Sequence, residues 1–285
     1  MPQTAAQQSA VPAEKLLNSA TAGFIVHRSG QVRYEFRREA TDFARELVAF
    51  INPAHAGAVS VMLFEEVFGD ADRLHWILHM RRPDDYGRLL DMVDHDQKWR
   101  EIADMDRLPS KGGGGWERMF VEQGIQETVM CPQHGLGHGE PDEEAFQPPA
   151  RHQTVLPYES LLHTANAPVV LHRTLQAAYA LREEARLFCY EWAAKVTELL
   201  KGEATAFLYE EMWGRQDRLH LLIHARDLET LDRARALERE SDQMRDLLAR
   251  EWIPKFKGGG TWEGLVLDGS ITETVLRPVA PPEGR

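Results

Sequence analysis

An eleven-residue block written twice constrains this chain more than any other feature. Residues 69–79 read GDADRLHWILH and residues 214–224 read GRQDRLHLLIH, with Gly69/Gly214, Asp72/Asp217, Arg73/Arg218, Leu74/Leu219, His75/His220 and His79/His224 identical at an offset of 145. The same offset pairs His27 with His172, Gln31 with Gln176, Tyr34 with Tyr179, Arg37 with Arg182 and Phe43 with Phe188. Further on the lag grows by one residue, where KGGGGWE (111–117) meets KGGGTWE (257–263) and IQETV (125–129) meets ITETV (271–275). Repetition on this scale means a duplicated domain rather than a short motif. A chain of 285 residues holds two domains of ordinary size, each able to bury its own core.

Hydrophobic periodicity gives each copy the same order of elements. In the first, a strand at FIVHR is followed by a helix striped by Ala40, Phe43, Leu47, Val48 and Ile51, which Pro53 and Gly57 end. An apolar β-rich run (58–68), a turn at Gly69 and Asp70 and a second strand (73–81) come next. A second helix opens at Pro83 and carries Tyr86, Leu89, Leu90, Val93, Trp99 and Ile102 on one stripe. After the glycine run, WERMFV begins a last strand and Gly124 turns the chain into IQETVM. The expected layout is a flexible arm (1–22), a ferredoxin-like repeat (23–130), a linker (131–167), a second repeat (168–278) and a tail (279–285). The β-α-β-β-α-β order and its length resemble the dimeric α+β barrel superfamily, which includes the antibiotic-biosynthesis monooxygenase-like proteins. The resemblance implies an α+β fold in which two ferredoxin-like repeats pack sheet to sheet as an intramolecular barrel.

Composition narrows the partners. A net charge of −12 argues against nucleic acid, because a phosphate backbone needs a basic face. No apolar run approaches the roughly 18 residues of a membrane span, and the first 22 residues lack the basic start and apolar core of a signal peptide. Cys131 and Cys189 make no disulfide framework. The expectation is a cytoplasmic monomer or homodimer that binds a small molecule, neither nucleic acid nor membrane.

Strand alternation picks the side chains that would face the barrel interior. Leu74, Trp76, Leu78 and Met80 fall on one face, and Arg73, His75, Ile77 and His79 on the other. The preceding strand adds Phe64, Glu66 and Phe68, matched in the second copy by Tyr209, Glu211 and Trp213. The expected lumen is aromatic with a few ionisable groups, the make-up of a small-molecule pocket. His75 and His220 are the candidate general bases, Arg73 and Arg218 the candidate oxyanion partners, and Glu66 and Glu211 either acids or partners of those arginines. His27, His79, His172, His224, Phe64, Phe68, Tyr209 and Trp213 would line the substrate, with Trp116 and Trp262 beside a glycine-hinged lid at the barrel mouth. His75 and His79 lie about 13 Å apart along a strand at ~3.3 Å per residue, too far to share one metal ion. Hydrogen bonding that holds the sheets in register is the competing role for all these histidines. The histidine- and acid-rich loop at 134–144 reads as a solvated linker.

The resemblance implies an enzyme of secondary metabolism that oxygenates or cyclises a hydrophobic aromatic, polyketide-like molecule. It implies no tightly bound cofactor, with reduced flavin as a diffusible co-substrate in some members. Two other readings stay open: a non-catalytic carrier of such a molecule, and a metal enzyme using one histidine from each of several strands.

Overall fold

The computed structural model describes residues 3–134 and 145–281. The first half runs β1 (Phe24–Val32), α1 (Arg37–Ala54), β2 (Val59–Phe68), β3 (Arg73–Met80), α2 (Pro83–His95), α3 (Gln97–Ala103) and β4 (Phe120–Pro132). The second runs β5 (Val169–Gln176), α4 (Arg182–Leu199), β6 (Ala204–Glu211), β7 (Arg218–Ala225), α5 (Leu228–Glu240), α6 (Asp242–Ala249) and β8 (Thr272–Pro278). The strands close into one barrel in the order β1-β3-β2-β8-β5-β7-β6-β4. Each half contributes a four-stranded antiparallel sheet, and the sheets join edge to edge through β2 with β8 and β4 with β6. The two seams are short, pairing Met130–Pro132 with Tyr209–Glu211 and Phe64–Phe68 with Val275–Pro278. The registers match at the 145-residue offset: His27 lies opposite Ile77, and His172 opposite Leu222.

Alternation divides the apolar residues among three cores. Val59, Val61, Leu63, Leu74, Trp76 and Leu78 face outward and pack under α1. Leu219, Leu221 and Ile223 do the same under α4. The inward set, including Ile25, Met62, Phe64, Ile77, Phe207, Tyr209 and Leu222, fills the lumen. In each half the second helix is broken rather than continuous. Asp96 leaves helical geometry (ψ 126°) and its side chain accepts the Trp99 N–H, and Ser241 does the same for Met244 (ψ 123°). Both are N-cap residues restarting a helix. The expected turn at Gly124 is absent: β4 is one strand, irregular against β1 between Gly30 and Val32, with Gln123 at φ 58°.

The expected arm and linker need the largest correction. Residues 5–22 and 150–167 themselves correspond at the 145-residue offset, and both send side chains into the barrel: Ala5, Leu16, Ala20 and Ala22, with Ala150, Leu161, Ala165 and Ala167, belong to the lumen core, while 12–15 and 157–159 stay exposed. The Gln8 amide bonds both the C=O and the N–H of Leu63, at 2.7 and 2.9 Å. Gln153 does the same to Leu208, at 2.7 and 2.8 Å. These amides satisfy strand groups beside the two seams. Residues 135–144, with the acidic part of the linker, lie outside the described residues. Limited proteolysis of the native protein should therefore spare 161–167, which is largely buried, and early cuts there would contradict this packing.

Candidate functional site

The block repeated in the sequence builds a hairpin around a glutamate. Glu66 Oε1 accepts the Asp70 N–H at 2.5 Å, and Glu211 Oε1 accepts the Arg215 N–H at 2.6 Å. A Cβ at Gly69 would stand 1.7 Å from Glu66 Oε1, and one at Gly214 1.9 Å from Glu211 Oε1. Gly69 also has φ 141°, which L side chains resist. Gly69→Ala should cost about 2–3 kcal/mol in urea unfolding; an unchanged midpoint would show that the hairpin gives way without cost.

Each glutamate anchors a chain of imidazoles inside the lumen. Glu66 Oε2 lies 3.1 Å from His75 Nε2, and His75 Nδ1 lies 2.9 Å from His27 Nε2. In the second half Glu211 Oε2 stands 3.6 Å from His220 Nε2, and His220 Nδ1 lies 2.9 Å from His172 Nε2. The His27 and His172 rings meet edge to face at 5.0 Å, so the two chains touch at the barrel axis. Burial lowers the pKa of His27, His172 and His220, and the neighbouring imidazoles add to this at His27 and His172. Burial works upward on Glu211, but His220, the Arg215 N–H and Arg218 outweigh it and hold this carboxyl below its ordinary value. Both nitrogens of His75 are thus engaged, which argues against His75 itself as the free general base.

At the other end of the lumen, His79 and His224 hold the inserted segments. A carbonyl can only accept, so His79 Nδ1 donates to Ser60 O and His224 Nδ1 to Thr205 O, both at 3.2 Å. Their Nε2 atoms then accept from Thr164 Oγ1 and Ser19 Oγ, both at 2.9 Å. Those hydroxyls in turn accept the backbone N–H groups of Ser19 and Thr164, at 3.0 Å each. Burial pushes both imidazoles down to about 3. They are structural, not substrate contacts. Phe64 and Tyr209 are fully buried in the same plug, and the Tyr209 hydroxyl donates to Ser19 O at 2.6 Å.

Four other expected pocket residues lie elsewhere. Phe68 and Trp213 stand outside the lumen, 60% and 59% exposed. Trp116 stacks on Phe43 at 5.8 Å, and Trp262 on Phe188 at 5.4 Å, both on the outer, helix-covered face. The glycine loops beside them are not lids over the barrel mouth. The N–H of Gly114 is bound by Asp106 and its C=O by Arg107, while Gly260 bridges Ile253.

A large cavity also lies on that outer face. Between the first sheet and α1, α2 and α3 lies a cavity of about 560 Å³, walled by Phe43, Leu47, Trp76, Trp99, Trp116 and Phe120 among others. That size suits a drug-sized ligand. The equivalent space in the second half is about 150 Å³. The difference is written in the sequence: Leu47 faces Trp192 across the repeat, Leu90 faces Arg235 and Val93 faces Glu238. Trp192 fills the second space, donating to Glu238 at 3.2 Å under the Arg173 guanidinium, 4.9 Å from its ring. In the first half, Trp76 Nε1 is buried with no hydrogen-bond partner among the described residues. At the wall, Glu127 accepts from Arg28 Nε at 2.6 Å and from the Tyr86 hydroxyl at 3.0 Å. Burial and the Glu127 charge raise the Tyr86 pKa, so its phenol stays a donor at neutral pH. Arg28 recurs as Arg173 and Glu127 as Glu273, but Tyr86 has Leu231 as its counterpart. Sequence reasoning did not single out this polar trio or the cavity.

A family model covers residues 1–283. The chain belongs to DUF6039, a family of unknown function. No curated protein matches the sequence. Among solved structures, this DUF6039 member is similar to a "putative monooxygenase" from Fusobacterium nucleatum subsp. nucleatum, with TM-score 0.56, 7% identity and coverage of 91% of this chain and 93% of that one. Another "putative monooxygenase", from Lactobacillus acidophilus, gives TM-score 0.52, 10% identity and coverage of 90% and 93%. An anthrone oxidase-like protein gives TM-score 0.51, 9% identity and coverage of 93% and 94%. At such identities the likeness is one of fold, the dimeric α+β barrel. Among the described residues, no three His, Cys, Asp or Glu side chains are grouped to hold a metal ion, and no helix is long and apolar enough to cross a membrane.

Proposed function

We propose that this protein binds a flat, apolar aromatic molecule of polyketide type in the helix–sheet cavity of its first half and oxygenates or cyclises it. No tightly held cofactor takes part; dioxygen is the co-substrate, with reduced flavin from solution as the variant. The observation that carries the reading is the unequal pair of cavities, about 560 against 150 Å³ in matching places. A filled cavity is the more stable arrangement, because an empty one forfeits packing contacts. The first half keeps its space, and Trp76 in its wall has a buried N–H with no hydrogen bond among the described residues.

The chemistry follows from the wall. A substrate oxygen accepts from Trp76 Nε1, and the aromatic faces hold the rings. Arg28 stabilises the negative oxygen that forms when a proton leaves, and Glu127 receives that proton. The electron-rich anion then reacts with dioxygen, one oxygen becoming a ring carbonyl and the other leaving as water with the two hydrogens of that carbon, or it attacks a carbonyl of the same molecule and closes a ring with loss of water. The reading is supported by structural neighbours described as a "putative monooxygenase" and an anthrone oxidase-like protein. The test is tryptophan-fluorescence titration with a three-ring phenol, followed by oxygen uptake across a phenolic panel. Binding with turnover supports the reading, binding without turnover makes the protein a carrier, and no binding removes it.

A further inference from the structure

The paired imidazole chains have a direction. A carboxylate only accepts, so with Glu66 ionised the hydrogen between Glu66 and His75 belongs to His75 Nε2. His75 Nδ1 is then a lone pair, and the hydrogen between it and His27 belongs to His27 Nε2. His27 Nδ1 is left as a lone pair, with no hydrogen bond among the described residues. The chain therefore orients a base two residues away from the carboxylate that fixes it.

The halves differ in ways that complement each other. In the first, the chain is closed at 3.1 Å and His27 is half-buried, while His172 is 8% exposed. In the second, the carboxylate stands back at 3.6 Å, leaving Glu211 Oε2 and His220 Nε2 buried without a hydrogen bond among the described residues. Arg73 is tied to Asp70 at 2.9 Å, whereas Arg218 has Glu211 at 3.7 Å as its nearest ion pair. Arg218 precedes His220 by two residues on β7 and so shares its inward face, and its guanidinium reaches the same Glu211 carboxylate that faces His220. Thr128, Thr174 and Thr274 alternate onto the same inward face, so this mouth is polar where the helix–sheet cavity is apolar.

We propose that this barrel mouth is a second catalytic site, in which Arg218 holds the carboxylate of a small 2-oxo acid and His27 Nδ1 removes a proton from the carbon beside its ketone. The C–H bond breaks, its electron pair stays on the substrate as an enolate, and the proton passes to His27. Water returns a proton to that carbon, and His27 releases its own to solvent. No oxidant or cofactor enters the balance. His27 is the catalytic base, and Glu66 and His75 are positioning residues. The site lies on the opposite face of the sheet from the helix–sheet cavity and stands or falls independently of it.

The experiment is exchange of pyruvate methyl protons in D2O, followed by proton NMR. The wild type should exchange at least tenfold faster than free imidazole at the same concentration. His27→Gln should return the rate to that background, and His172→Gln should keep most of it, with melting curves confirming that both variants fold. Arg218→Met should raise KM and leave kcat within about threefold. Glu66→Gln should displace the pH profile of exchange, which loss of packing alone would not do. Background exchange in the wild type, full exchange in folded His27→Gln, or stoichiometric zinc bound by these histidines on titration would each overturn the proposal. A fold change in His27→Gln would pass the decision to the Arg218→Met KM.

Discussion

Replacing Leu47, Leu90 and Val93 with the residues found 145 positions later, as Leu47→Trp, Leu90→Arg and Val93→Glu, should weaken binding of a three-ring phenol at least 100-fold, with turnover falling alongside. In the second half, Trp192 fills the matching space, Glu238 accepts its N–H, and Arg235 pairs with Glu273. The transplanted set would lay an indole over Arg28 as Trp192 lies over Arg173. The added side-chain volume enters space that is already empty, about 560 Å³ of it, so overpacking is not forced. A 100-fold loss is about 2.7 kcal/mol of binding free energy, a modest demand for closing an apolar pocket. The melting temperature should hold or rise. Unchanged affinity in a folded triple variant would place the ligand elsewhere.

Acid should unfold this protein unusually early. Five buried histidines, His79, His163, His172, His220 and His224, and the half-buried His27 have folded pKa values lowered by desolvation. A histidine near 6.5 when unfolded and lower when folded binds its proton more readily in the unfolded chain. Its stabilisation is complete above pH 6.5 and is lost as pH falls toward the folded value. His79 and His224 sit at about 3 and His163 at about 4, so the loss runs from 6.5 down through that range. At about 1.4 kcal/mol per pH unit, His79 and His224 together remove roughly 4 kcal/mol between pH 6.5 and 5. That is a large share of the ~5–15 kcal/mol available to a folded protein. Urea midpoints measured from pH 7 to 5 should fall steeply, and His79→Gln with His224→Gln should flatten the curve. Carboxylates with lowered pKa add their loss only below about 4.5, outside this window. A flat curve down to pH 5 would mean these imidazoles are hydrated.

The barrel was legible because its signals are local and doubled. Strict alternation in 73–80 and 218–225, a helical stripe after each first strand, and the repeated hairpin block left little freedom. The inserted segments were not legible by period, since stretches rich in Ala, Gln and Pro carry none. Their signal was the offset itself, which continues upstream through Gln8/Gln153, Pro12/Pro157 and the Leu16-Leu17/Leu161-Leu162 pairs. Alternation placed His75, His79 and Glu66 inside correctly but could not say what else fills the interior, so a packed plug was read as a pocket. The real cavity showed only as differences between the copies, Leu47 against Trp192 and Trp76 against Leu221. Attention to what the repeats share points away from it.

The most direct test of the account is a crystal structure of the protein with the three-ring phenol bound. The rings should lie between α1 and the outer face of β1, β3 and β2, with an oxygen on Trp76 Nε1 and the second half empty. Rings inside the barrel, against His27 and His172, or bound equally in both halves, would contradict it.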